Sequence, residues 1–197
     1  MRAFLAILAV VLVGTGLLWQ ATSGARAITA EGARRLLALE ERPVMPSPFL
    51  TGMSGEPVRL QAGEGGVALV EFIYTTCPTI CRAAGDSFAQ IQRLIAEEGL
   101  ASQVRLFSVS FDPALDDADA LSAYGEAHGA DGVQWNVGVP AQQDLPELLK
   151  RYGVTVIVDP FYGYEHNAAI HLVDDRGRLS GIFDIEDVDG VLEALRP

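Results

Sequence analysis

Cys77 and Cys81 are the only thiols in the chain, and they stand four residues apart in Tyr74-Thr75-Thr76-Cys77-Pro78-Thr79-Ile80-Cys81. A thiolate is both a soft metal ligand and a nucleophile toward disulfides. Directly upstream, residues 67–74 read VALVEFIY, a β-branched and aromatic run suited to a central strand buried on both faces. Downstream, Phe88, Ile91, Leu94 and Ile95 recur at helical spacing. The sulfurs therefore fall where a strand hands over to a helix. Free backbone N–H groups and the positive end of the helix dipole favour thiolate there, lowering the pKa from about 8.5 toward neutrality. About one helical turn apart, the two sulfurs can share one ion or oxidise to a bridge. As a staple, such a bridge closes too small a loop to remove much unfolded-chain entropy. The bland alternative, a packed and inert cysteine pair, suits a strand end poorly, so the pair reads as chemistry.

Two thiolates leave a metal site incomplete, and three histidines could complete it. His128 lies near the end of a surface helix beside Gly129 and reads as merely solvated. His171 alternates out of phase with Ile170 and Leu172 in a strand, so it should project from the opposite face and serve structure. His166 falls in a loop after Phe161-Tyr162-Gly163-Tyr164-Glu165, just before the last hairpin. Loops at a sheet end are where ligands converge, although composition alone leaves His166 equally readable as an ordinary loop residue. Two sulfurs and one nitrogen suit trigonal Cu(I), while Cu(II) would want a fourth, oxygen ligand, so the donor set favours copper. Zinc is the rival; a structural zinc site wants four protein ligands, and here there is no third cysteine and no tight histidine pair.

The elements that must position these residues alternate along the chain. Phe49 to Met53 and Glu56 to Leu60 read as a hairpin around Ser54-Gly55, followed by the strand over residues 67–74 and a helix over residues 82–98. A second strand spans residues 104–111 (VRLFSVSF), a helix residues 118–127, a weaker strand residues 133–139 and a helix residues 145–152. Residues 169–173 and 179–183 flank Asp174-Asp175-Arg176-Gly177, a turn whose glycine suits a positive φ, and residues 188–195 close as a helix. Parallel strands with crossover helices thus come first and an antiparallel hairpin last. That order predicts an α/β, thioredoxin-like fold with an N-terminal β-hairpin extension and an N-terminal membrane segment.

With 197 residues and 49% hydrophobic content, the chain can bury one substantial core but not two large ones. A net charge of -12 and a single lysine, Lys150, exclude nucleic acid as a partner, because phosphate contacts need clustered cations. From Ala3 to Trp19 the chain is uncharged and mostly apolar, AFLAILAVVLVGTGLLW, which predicts an export segment: a retained membrane anchor, or a leader cleaved after Ala25-Arg26-Ala27. Residues 1–25 are assigned to this signal or anchor, 26–48 to a spacer ended by Pro43, Pro46 and Pro48, and 49–197 to the thioredoxin-like copper-binding domain. Export to the periplasmic side of a bacterial inner membrane would permit the Cys77–Cys81 disulfide to persist.

Three segments in order carry a resemblance: FIYTTCPTIC (residues 72–81), SVSFDP (residues 108–113), and HNAAIHLVDDRG, in which His166 precedes Gly177 by eleven residues. Together they resemble the SCO/SenC family of copper chaperones, over about Arg42 to Pro197. The resemblance implies a thioredoxin fold, copper held by Cys77, Cys81 and His166, and delivery of copper or reducing equivalents to the dinuclear copper site of a respiratory cytochrome c oxidase, with other copper carriers as further partners. The chain departs from the family pattern at Thr79, where Asp is common, at Arg82, where Pro is usual, and at Asn167, where Ser or Thr is common. These positions surround the ligands and tune affinity and potential. Two functions follow: a metallochaperone, or a thiol-disulfide oxidoreductase using Cys77 and Cys81 with no obligatory metal. A thiol peroxidase of the same fold would carry Thr three residues before its reactive cysteine, where this chain has Tyr74.

Overall fold

The computed structural model describes residues 2–22, 24, 26–77, 79–160 and 163–196, with the side chains of residues 2, 3, 5, 6 and 30 outside the description. Ala25 of the cleavage motif, Pro78 of the cysteine motif, and Phe161 and Tyr162 lie outside the described residues. Two compact units result, residues 1–42 and residues 43–197.

In the first unit, α1 (Arg2–Ala21) is the apolar run, and its described side chains such as Ile7, Val10 and Leu17 are exposed. Among the described residues, no helix is long and apolar enough to cross a membrane, so the membrane segment expected over residues 1–25 gains no support. α2 (Ala30–Glu41) starts on Thr29, whose hydroxyl accepts the Gly32 N–H at 3.0 Å. Glu31 bonds Arg34 and Arg35 one turn on, at 2.6 and 2.8 Å. The Arg34 hydrogen bond leads in holding the Glu31 carboxyl down at about 2.

The second unit is built on a mixed sheet. Its strands are β1 (Phe49–Gly52), β2 (Pro57–Arg59), β3 (Val67–Ile73), β4 (Val104–Ser110), β5 (Trp135–Pro140), β8 (Ile170–Val173) and β9 (Leu179–Phe183). They lie in the order β2-β1-β5-β4-β3-β8-β9. β3, β4 and β5 are parallel, as crossover helices require; β1, β2, β8 and β9 pair antiparallel at the flanks. The intervening helices are α3 (Ile80–Glu97), α4 (Ala118–His128), α5 (Leu145–Tyr152) and α6 (Val188–Leu195). Phe88, Ile91 and Ile95 of α3 and Val191 and Leu192 of α6 pack on Leu69, Leu106, Trp135 and Ile170. Each such side chain contributes roughly 1.5–3 kcal/mol by leaving water. Strand alternation sends Phe72 to the other face, where it packs edge to face with Tyr152 at 5.1 Å.

Three local findings differ from the sequence expectations. β5 begins at Trp135 rather than Val133, because the Asp131 carboxylate accepts the N–H groups of Val133, Gln134 and Trp135 and holds them in a turn. The stretch read as a loop before the last hairpin is itself a hairpin of two short strands, β6 (Val156–Asp159) and β7 (Gly163–His166), with Val156 opposite His166. Its signal was the β-branched run from Val154 to Val158. Residues 43–48, read with the spacer, belong to the folded unit: Met45 donates to Gly177 O at 2.7 Å, Leu179 donates to Pro43 O at 3.0 Å, and Met45 is buried. Gly177 has φ +72, as its turn demands.

Candidate metal centre

β3 runs out at Ile73, and the chain turns through Thr75, Thr76 and Cys77 into α3. The turn is pinned from β4 and the loop after it. Buried Asp116 accepts the Thr75 N–H at 3.0 Å and its hydroxyl at 2.6 Å, and also the Ser110 hydroxyl at 2.5 Å. Ser110 of the SVSFDP segment holds Asp116, and Asp116 fixes the approach to Cys77. The sequence alone does not distinguish Asp116, one of three aspartates, Asp112, Asp116 and Asp117, within seven residues of the end of β4.

Both cysteines are free thiols, Cys77 at 5% exposure and Cys81 at 1%. Cys81 is the second residue of α3, and its backbone N–H, unused inside the helix, donates to Cys77 Sγ at 3.4 Å. Burial opposes a thiolate at Cys77, but hydrogen bonds from the Cys81 thiol, the Cys81 and Thr79 N–H groups and the Tyr74 side chain outweigh it, and the Cys77 pKa lies below the ordinary thiol value. Cys81 goes the other way. Its burial, then its hydrogen bond to Cys77, push its pKa far up, with the charges of Cys77 and Glu71 adding to the rise. The expectation that the helix start activates both sulfurs is therefore corrected: the free N–H groups serve Cys77, and Cys81 keeps its proton.

His166, at the end of β7, is 85 residues from Cys81, and its Nε2 lies 3.7 Å from Cys81 Sγ. Its ring packs on Phe111 at 5.0 Å, and Phe111 in turn meets Tyr74 at 5.4 Å and Tyr164 at 5.6 Å. The Tyr74 hydroxyl reaches the Tyr164 carbonyl at 3.3 Å, tying β7 to the end of β3. Burial among these rings lowers the His166 pKa to about 4, so the imidazole is neutral and able to donate a lone pair. Nδ1 is buried without a hydrogen-bond partner.

Bond lengths of about 2.3 Å to sulfur and about 2.0 Å to nitrogen, subtending roughly 120° at a first-row ion, separate the two donors by about 3.7 Å. Cys81 Sγ and His166 Nε2 already stand at that spacing. Among the described residues, however, no three His, Cys, Asp or Glu side chains are gathered closely enough to hold an ion as they stand. The contact at this spacing is the pair Cys81 and His166, with Cys77 Sγ 3.4 Å from the Cys81 backbone nitrogen.

The other histidines have structural partners. His171 is buried and its ring nitrogens meet Val70 O at 3.3 Å and Tyr152 O at 3.1 Å, joining β8 to β3 and α5. His128 is not the solvated residue its helix position predicts. Its side chain is 8% exposed, with Nδ1 3.1 Å from Asp86 and the ring 4.6 Å from Tyr124, because Gly85 lets α4 approach α3 closely.

Beneath the sulfurs lies Glu71, unremarked in the sequence because it sits inside an apolar strand. It is 1% exposed; Oε1 accepts the Ser108 hydroxyl at 2.5 Å, Ser108 Oγ accepts the Trp135 indole N–H at 2.9 Å, and Oε2 has no partner. Burial raises its pKa to about 8 against the lowering effect of Ser108.

Residues 39–195 match the SCO1/SenC family model. A SCO1 protein homolog of Bacillus subtilis (strain 168) is 26% identical over 148 residues, 73% of either chain. In fold, the chain is similar to Bradyrhizobium japonicum ScoI with copper bound (TM-score 0.63, 20% identity, 78% of this chain and 100% of that one). It is also similar to BsSco, a member of the Sco family of cytochrome c oxidase assembly proteins in which a disulfide switch has been identified (TM-score 0.67, 20% identity, 78% of this chain and 92% of that one). The fold is thioredoxin-like, and with four-fifths of its length under one family model the chain belongs to the SCO1/SenC family.

Proposed function

We propose that this protein is a copper-binding metallochaperone whose cargo ion is held by Cys77, Cys81 and His166, and that it delivers copper to, or prepares the cysteines of, the dinuclear copper site of a cytochrome c oxidase. The observation that carries the reading is the 3.7 Å approach of Cys81 Sγ and His166 Nε2 across 85 residues of chain. A neutral imidazole and two sulfurs are a donor set for Cu(I), and a Cu(II) cargo would take a fourth, oxygen ligand. The family match, the copper seen in the Bradyrhizobium japonicum relative and the oxidase assembly role of the BsSco family support it.

The chain's own residues do the handling. The aromatic ring of Phe111, Tyr74 and Tyr164 keeps water from His166 and holds its imidazole neutral. Cys77, the sulfur nearer to ionisation, would be the first ligand to accept or release the ion, and Cys81 gives up its proton as it binds. Residues 1–25 serve in this reading as an export segment, retained as an anchor or cleaved near Ala27, which places the folded unit on the periplasmic side of the membrane with an oxidase copper-site subunit and other copper carriers as partners.

A second reading has its own observation: Cys77 lines a surface groove that Cys81 does not, and its sulfur accepts the Cys81 N–H at 3.4 Å, the arrangement of a thiol-disulfide oxidoreductase with Cys77 attacking and Cys81 resolving. His166 separates the two. His166→Ala is expected to lower copper affinity by about 10 to 100-fold, the scale for weakening a metal site, while dithiol reduction of a model disulfide is retained. Copper titration of the reduced protein, with X-ray absorption counting sulfur and nitrogen neighbours, reads the outcome; unchanged affinity would remove the three-ligand site.

A further inference from the structure

A groove of about 500 Å³ opens beside Cys77 and does not include Cys81. One wall is α4, which turns Ala120, Ala123, Tyr124 and Ala127 toward it, the i, i+3, i+4, i+7 face of a helix. Three of those four are alanines, so that wall is low. The opposite wall is α3 with Arg82 and Asp86 one turn apart, and the Thr75–Cys77 turn closes the end. Asp86 is engaged by His128 at 3.1 Å. Arg82 is exposed and, among the described residues, has neither an ion-pair nor a side-chain hydrogen-bond partner. On a chain of net charge -12, an uncommitted guanidinium in the same groove as the Cys77 sulfur marks the chemistry of what docks there.

We infer that this groove seats an extended polypeptide segment of the partner, presenting a cysteine sulfur to Cys77 with an acidic side chain close to that cysteine paired to Arg82. The inference rests on the oxidoreductase side of the proposed function and adds the docking site and the specificity-determining residue. In the exchange, the Cys77 thiolate attacks the partner's sulfur in a disulfide. A new S–S bond forms to Cys77 as the old one breaks, and the departing sulfur leaves as thiolate with the bonding pair. Cys81, after losing its proton to solvent, then attacks Cys77 and releases the partner's cysteine as thiolate, leaving the chain's disulfide and a reduced partner.

The test uses full-length protein carrying Cys81→Ser, so that the mixed disulfide accumulates, and two cysteine peptides activated as thionitrobenzoate disulfides that differ only in Asp or Lys beside the cysteine. Release of thionitrobenzoate gives the rate. At low salt the Asp peptide should react about tenfold faster than the Lys peptide, a preference erased or inverted by Arg82→Glu and kept by Arg82→Lys. Ala123→Phe, an exposed position, should slow both peptides while leaving reaction with a small uncharged disulfide unchanged. If Cys77 reacts but residue 82 does not alter the ratio, or the Lys peptide is preferred, the docking inference is overturned and the redox reading stands. If Cys77 reacts with neither peptide nor small disulfide, the redox reading falls and takes the inference with it.

Discussion

At the scale of single residues, the buried acid makes the sharpest case. Glu71 keeps its proton in the folded protein up to about pH 8, whereas in the unfolded chain it loses it near 4.5. Between those values the folded state binds more protons, so stability falls as pH rises through that window. Glu71→Gln removes the charge and keeps an acceptor for Ser108, so the variant should match the parent near pH 4.5 and exceed it by up to about 5 kcal/mol at pH 8. Urea denaturation at both pH values checks this; a gap that does not grow with pH would show that Glu71 is ionised and solvated. His166 runs with the opposite sign. Its folded pKa, about 4 against 6.5, makes it a group whose stabilising contribution is present above pH 6.5 and is lost as pH falls toward 4. Both shifts arise from burial, the one property of these side chains that their neighbours in sequence do not disclose.

Among the elements, the α3–α4 contact holds the cysteine end of α3 in place. Tyr124 donates its hydroxyl to Cys81 O at 2.8 Å, and Gly85 makes that approach feasible: a Cβ there would sit 2.7 Å from both the Tyr124 hydroxyl and the His128 ring. Neither neighbour is free to yield, since one is hydrogen-bonded and the other is packed against Tyr124 and paired with Asp86. Gly85→Ala gains about 1 kcal/mol of helix propensity but overpacks by roughly 1–3 kcal/mol, so a net loss is expected. A thermal midpoint a few degrees lower would show it, and an increase would mean that α4 moves away without cost. Element types and order were legible in the sequence, because the periodicities of Val67–Ile73, Val104–Ser110 and Ile80–Glu97 are long and strong. β6 and β7 were not, being four residues each, with Ile157 and Val158 exposed rather than alternating into a core.

For the whole molecule, the boundary of the folded unit is the testable quantity. A chain beginning at Pro43 keeps buried Met45, its bond to Gly177 and the Leu179 bond to Pro43, whereas one beginning at Phe49 keeps the strands but loses all three. Burial of a methionine and two backbone hydrogen bonds at the β8–β9 turn should make the shorter form less stable by about 2–4 kcal/mol, or several degrees in midpoint for a unit of this size. Equal midpoints would return residues 43–48 to the spacer.

What the sequence determined by itself was the chemistry on offer: two soft sulfurs four apart between a buried strand and a helix, a late histidine, and the alternation of elements that brings a parallel core and an antiparallel flank into one sheet. These depend on residue type and local spacing, and local spacing is what a sequence displays. Only the tertiary structure decided that the imidazole at position 166 meets Cys81 while those at 128 and 171 are held elsewhere, that Cys77 and not Cys81 gains the helix's free N–H groups, and that a carboxyl is sealed beneath them. Each of those outcomes is set by desolvation and by partners tens of residues away, and neither exists until the chain has closed on itself.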